Sequence, residues 1–147
     1  MSEASSSRNL GRSILALVAG ILAGIALTLG TDSVLHKVGF YPPLGEWTPS
    51  GPLAVATAYR IVYGIVGSYI VARLAPNRPM MLALISGGLG VVAAVIGAAV
   101  TWNKNLGPHW YSLALVFTAL PCAWIGAKIR LSQLTASESA PSAEKQA

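Results

Sequence analysis

The chain has 147 residues, of which 54% are hydrophobic and only 10% charged. A soluble globular domain carries about 25% charged residues, so there is too little charge here to cover a water-facing surface, and the length leaves no room for a second soluble domain. The net charge of +5 does not point to nucleic acid, because the basic residues sit at the ends of apolar runs, where they orient a membrane protein.

Residues 1–12 form a short polar N-terminus rich in Ser. Apolar runs follow over 13–31, 53–74, 80–101 and 110–128. Each approaches or exceeds the ~20 residues that carry a helix across a ~30 Å hydrocarbon layer. They predict an all-α fold, an integral membrane four-helix bundle over residues 13–131. A short disordered cytoplasmic tail of Ser, Ala, Glu and Gln is expected over 132–147. The first run, preceded by Arg8 and Arg12, has some features of a signal peptide. It is longer than the roughly 7–15 apolar residues of that class, no small-x-small cleavage site follows cleanly, and it is read as retained.

Lys and Arg set the orientation. Four crossings place Arg8, Arg12, Arg73, Arg78, Lys128, Arg130 and Lys145 on one side and only Lys37 and Lys104 on the other. The excess marks the cytoplasmic side and predicts an N-in/C-in, multi-pass topology. The cytoplasmic turn at 74–79 is tight, with Pro76 ending one helix and Pro79 opening the next. The first outer loop, 33–51, carries Pro42, Pro43 and Pro49 among Phe40, Tyr41 and Trp47, which suits an irregular segment on the outer membrane face, capping the bundle. A second outer loop, 102–111, repeats the theme.

Helices in lipid associate through close backbone approach. Ala16, Gly20 and Gly24 share one face, Gly64 and Ser68 a second, and Gly90, Ala94 and Ala98 a third. The spacing leaves open whether these faces meet within one chain or between copies. Pro121 lies inside the fourth run, where it should kink the helix or free a carbonyl about four residues earlier.

Arg60 is the most informative position. It lies seven residues into the second run, about 10 Å below its outer end at 1.5 Å per residue, and an Arg at the centre of a membrane helix costs at least ~2.5 kcal/mol. A partner is expected, and Asp32, at the outer end of the first run, is the natural carboxylate, able to pair through two parallel hydrogen bonds. His36 stands one turn beyond Asp32, and Tyr59 and Tyr63 flank Arg60. Trp102, Asn103, His109, Trp110 and Tyr111 reach the same level from the third and fourth runs. These ten residues are the candidate site, read either as a latch between the first two helices or as an outward pocket for a polar ligand.

No catalytic residue, cofactor or metal ligand is assigned. His36 and His109 have no ligand spacing, no glycine-rich phosphate loop precedes a helix, and Cys122, the single cysteine, lies in an apolar segment and excludes an internal disulfide.

Thr31-Asp32, Leu35-His36, Gly39, Pro42-Pro43, Ala58-Tyr59-Arg60, Ala72-Arg73-Leu74-Ala75-Pro76, Pro79-Met80, Thr101-Trp102-Asn103, Gly107-Pro108, Trp110-Tyr111 and Leu120-Pro121-Cys122-Ala123-Trp124 resemble a group of small four-helix bacterial membrane proteins without an assigned function. The resemblance spans residues 10 to 130 and implies a location in the bacterial cytoplasmic (inner) membrane. It implies no activity. The pattern differs from the small multidrug exporters, whose first helix carries an acidic residue near its middle.

The expectation is a non-enzymatic polytopic membrane protein whose outward-facing Asp/Arg/aromatic cluster is structural or binds a small polar ligand or lipid headgroup. The alternatives are a small oligomeric transporter or channel, and an accessory subunit or membrane enzyme or redox component. The lipid bilayer is the expected partner, with a homo-oligomer or a larger membrane complex left open.

Overall fold

The computed structural model describes residues 2–144, with side chains described over residues 8–138. Four helices follow in chain order: α1 Ser2–Lys37, α2 Ser50–Leu74, α3 Pro79–Thr101 and α4 Trp110–Glu144. Each contains a segment long and apolar enough to cross a membrane. The helix ends follow local chemistry. At the end of α1 the Phe40 N–H donates to the Leu35 carbonyl and the Gly39 N–H to that of His36. Gly39 has φ +73°, and together these make a Schellman cap, in which glycine takes the left-handed position. α2 stops at Leu74, two residues before Pro76, and α3 opens on Pro79 at its first turn, where a missing N–H costs nothing.

Two boundaries differ from the sequence reading. α1 begins at Ser2 instead of near residue 13, and α4 continues to Glu144, where a disordered tail is expected from 132. Hydropathy measures the stretch that hydrocarbon can cover, whereas the backbone ladder continues wherever residues tolerate it. Ser, Ala, Glu, Gln and Lys carry small helix penalties. α4 also runs unbroken past Pro121. Residues 145–147, including Lys145, lie outside the described residues.

Of the three small-residue faces predicted to bring helices together, those of Gly20 and of Gly64 do so within one chain, whereas Gly90 and Ala94 line an open groove. A Cβ on Gly20 of α1 would collide with the Val71 side chain of α2, and one on Gly67 would lie 2.9 Å from the Gly20 carbonyl oxygen. On the other side of α2, a Cβ on Gly64 would lie 3.4 Å from Cys122 Cβ, and one on Gly126 of α4 would lie 2.5 Å from the Ile65 carbonyl oxygen and 2.8 Å from the Tyr69 nitrogen. Gly87 of α3 sits equally close to Ala123 of α4. The helices are thus arranged as a ring in the order α1, α2, α4, α3, with α2 also touching α3. The fourth side of the ring, between α1 and α3, is only slightly closed, and α1 and α4 do not meet among the described residues.

That side closes at one end only. Near the α2–α3 turn, Ala16, Val71 and Leu82 form a buried cluster joining α1, α2 and α3, and Ala72, Ala83 and Ala127 join α2, α3 and α4. Toward the opposite end, which carries the two long loops, α1 and α3 separate. Large side chains face outward throughout, with Phe117 74% exposed. This inversion, small residues inside and large apolar ones outside, is the packing expected of helices solvated by lipid.

Candidate functional site: a cleft and a groove that share Arg60

At the loop end the chain between α1 and α2 folds back over the helices. The Glu46 N–H donates to the Pro43 carbonyl across Leu44 and Gly45, and Gly45 has φ +94°, as a type II turn requires at its third position. The Thr48 N–H donates to the Leu106 carbonyl at 2.8 Å, tying this loop to the α3–α4 loop. Gly107 permits the approach, since a Cβ there would meet Leu53 at 3.0 Å and the Thr48 carbonyl oxygen at 3.2 Å. The joined loops and the helix ends beneath them enclose a cleft of about 370 Å³.

Arg60 and Asp32 line the cleft and touch. Arg60 Nη2 donates to Asp32 Oδ2 at 2.7 Å, with side chains 28% and 22% exposed. The expected pair of parallel bonds is not formed: only Nη2 reaches the carboxylate, and the Tyr59 hydroxyl donates to its other oxygen, Oδ1. Tyr59 in turn accepts from Tyr41, whose hydroxyl lies 3.1 Å away; the Pro52 carbonyl, 3.4 Å from the same hydroxyl, is the competing acceptor for that single proton. A chain Tyr41–Tyr59–Asp32–Arg60 therefore runs from the loop to the middle of α2. Arg60 has five N–H donors. One is given to Asp32, its carbon lies 5.6 Å from the centroid of the Tyr111 ring in a cation–π contact, and its Nε is buried without a hydrogen-bond partner among the described residues.

The remaining predicted residues divide. His36, Trp102, His109 and Tyr111 line the cleft. Each histidine directs one ring nitrogen at a backbone carbonyl, His36 Nδ1 at Asp32 and His109 Nε2 at Trp102. A carbonyl only accepts, so each of those nitrogens donates. Tyr63 lies below the cleft, bonded to the Thr31 hydroxyl at 2.8 Å. Trp110 points away, toward Ser50, and Asn103 is exposed outside the cleft. Five cleft residues with polar side chains were not among the predicted ten: Tyr41, Glu46, Thr48, Thr101 and Ser112. Tyr41 and Glu46 belong to a loop whose fold-back carries no periodic signal. Ser112, two residues past Trp110, could have been found from the α4 register.

Beneath Arg60 lies a second space of about 460 Å³, inside the ring of helices and open between α1 and α3. Its walls are apolar. The Ser86 and Thr118 hydroxyls on them are turned back to the Ala83 and Ala114 carbonyls of their own helices. It ends at Gly67 and Val71, where α1 and α2 are in contact. Arg60 lines both spaces, as the floor of the cleft and the roof of the groove. Among known proteins, no family model, characterised protein or solved structure matches the chain.

Proposed function

We propose that the protein is a non-enzymatic, multi-pass protein of a bacterial cytoplasmic membrane that holds a small polar molecule or lipid headgroup in an outward-facing cleft. The observation that carries this reading is the incomplete satisfaction of Arg60. A residue kept only as a latch would place both terminal nitrogens on its carboxylate. Here Arg60 gives Asp32 a single hydrogen bond, from Nη2, and its other terminal nitrogen, Nη1, makes none among the described residues, so it is left for an anionic oxygen entering from the cleft. The mouth suits the opposite charge: Glu46 is exposed on the turn there, and Tyr41 and Trp102 supply ring faces that attract cations. A zwitterionic phosphodiester, phosphate inward and ammonium outward, matches both ends.

The test is native mass spectrometry of the full chain in mild detergent, titrated with glycerophosphocholine. Saturable one-to-one binding that Arg60→Gln removes supports the reading. Wild-type protein that takes up no glycerophosphocholine, or an Arg60→Gln variant that binds it equally well, refutes it. The alternative of a transporter or channel needs a polar route through the bilayer. The apolar groove closing at Gly20, Gly67 and Val71 weighs against such a route within one chain, so a pore would have to be assembled from several copies.

A further inference from the structure

We infer that the molecule held in the cleft is an amphiphile whose hydrocarbon chain lies in the groove beneath Arg60, between α1 and α3. This rests on the reading of the cleft given above and adds the identity of the rest of the ligand. Three observations bring the two spaces into one site. Arg60 borders both, so a phosphate on its guanidinium stands at the entrance of the groove. The groove is largely apolar below Arg60: the Ser86 and Thr118 hydroxyls on its walls donate to their own backbones and Tyr63 is bonded to Thr31, which leaves Thr28 and Ser68 as its remaining hydroxyl-bearing residues. Its length is that of a chain: from Arg60 to Val71 the α2 wall covers eleven residues, about 16 Å at 1.5 Å per residue.

The opening is lateral as well. α1 and α3 share few contacts; Ala16 and Leu82 belong with Val71 to one buried cluster near the α2–α3 turn, and above it the groove between the two helices faces the space where bilayer would lie. An amphiphile can therefore slide in sideways, tail between the helices and head under the joined loops, without crossing a polar barrier. A soluble ligand would need only the cleft. An apolar ligand would have no reason to reach Arg60.

The experiment uses the full chain in lipid nanodiscs with a trace of hexadecylphosphocholine carrying a diazirine midway along its chain. After irradiation, adducts are expected on Thr28, Ala94 and Thr118 in the groove, at about tenfold the level found on Val92 and Phe117, exposed positions of α3 and α4; tenfold corresponds to ~1.4 kcal/mol. Excess glycerophosphocholine, or Arg60→Gln, should abolish that preference. Ala94→Phe, which fills the groove from α3, should abolish it while leaving glycerophosphocholine binding intact. Labelling spread evenly over groove and outer positions overturns the inference, as does groove labelling that glycerophosphocholine does not displace. If either occurs while glycerophosphocholine still binds through Arg60, the cleft reading survives alone. If glycerophosphocholine does not bind wild-type protein at all, both fall.

Discussion

Replacing Asp32 with alanine would leave the Arg60 guanidinium without its carboxylate and deprive the Tyr59 hydroxyl of its acceptor. Removing one member of a fully buried ion pair costs about 3–5 kcal/mol, because the other charge is stranded. With the two side chains 28% and 22% exposed, screening reduces the expected loss to about 2–3 kcal/mol. Arg60→Ala has a different sum. It loses one charge-assisted hydrogen bond, about 1.5–3 kcal/mol, and the Tyr111 contact, about 0.5–1 kcal/mol. It also removes a buried donor with no partner, which returns about 1–3 kcal/mol, and Tyr59 still binds Asp32. These terms nearly cancel, so Arg60→Ala is expected within about 1 kcal/mol of wild type. The double variant should recover much of the Asp32→Ala loss, since no stranded cation remains. Equilibrium unfolding of the four proteins in mild detergent, followed by circular dichroism, measures all three differences. If Arg60→Ala loses about 3 kcal/mol or more and the double variant is no worse than either single one, the pair is a latch that the fold requires. The argument from unused Arg60 donors would then be refuted.

The helix crossings are tested by glycine substitutions read in the same assay. Gly126→Ala places a methyl against the backbone of Ile65 and Tyr69 and should cost about 1–3 kcal/mol as overpacking. Gly97→Ala, with nothing within 4 Å, should be neutral or stabilise by up to about 1 kcal/mol through helix propensity; equal effects at the two sites would contradict the α2–α4 contact. Gly39→Ala forces a side chain into a left-handed backbone with φ +73° and should lose about 1 kcal/mol despite open space around it; an unchanged midpoint would argue against the Schellman cap. For orientation, Leu44 is 88% exposed at the tip of the first long loop. In a Cys122→Ala background, Leu44→Cys should react with a membrane-impermeant maleimide added to intact cells, and protection until the cells are lysed would reverse the proposed topology.

The Asp32–Arg60 contact was legible because a charge placed among apolar residues needs a partner, and the first helix offers one carboxylate near the right depth. The small-residue faces were legible for a similar reason: Gly20 beside Gly24 and Gly64 beside Ser68 have little use in lipid except close packing. Gly67, Gly87 and Gly126, which make the tightest contacts along with Gly20, lie off the predicted faces, although Gly87 stands four residues after Ala83, the same small-residue spacing. Helix ends escaped for a different reason. Apolarity marks the membrane-sized part of α1 and α4, while the terminal extensions to Ser2 and Glu144 are built of residues with small helix penalties, that of α4 also held to α2 where the Tyr69 hydroxyl donates to Gln133 Oε1.

What the sequence could not show is the relation between the charge and the space around it. Arg60 could be placed on a helix face, but the cleft above it exists because Thr48 and Leu106 join two loops, and the groove below it because α1 and α3 part above Ala16 and Leu82. Neither event leaves a periodic trace. Their coincidence at one residue alters what Arg60 can do. A guanidinium facing a polar cleft alone would recognise an anion, and one facing an apolar groove alone would be a cost with no return. At the boundary of both, with Tyr59 occupying half of its carboxylate, it stands where the polar head and the chain of one molecule would be joined.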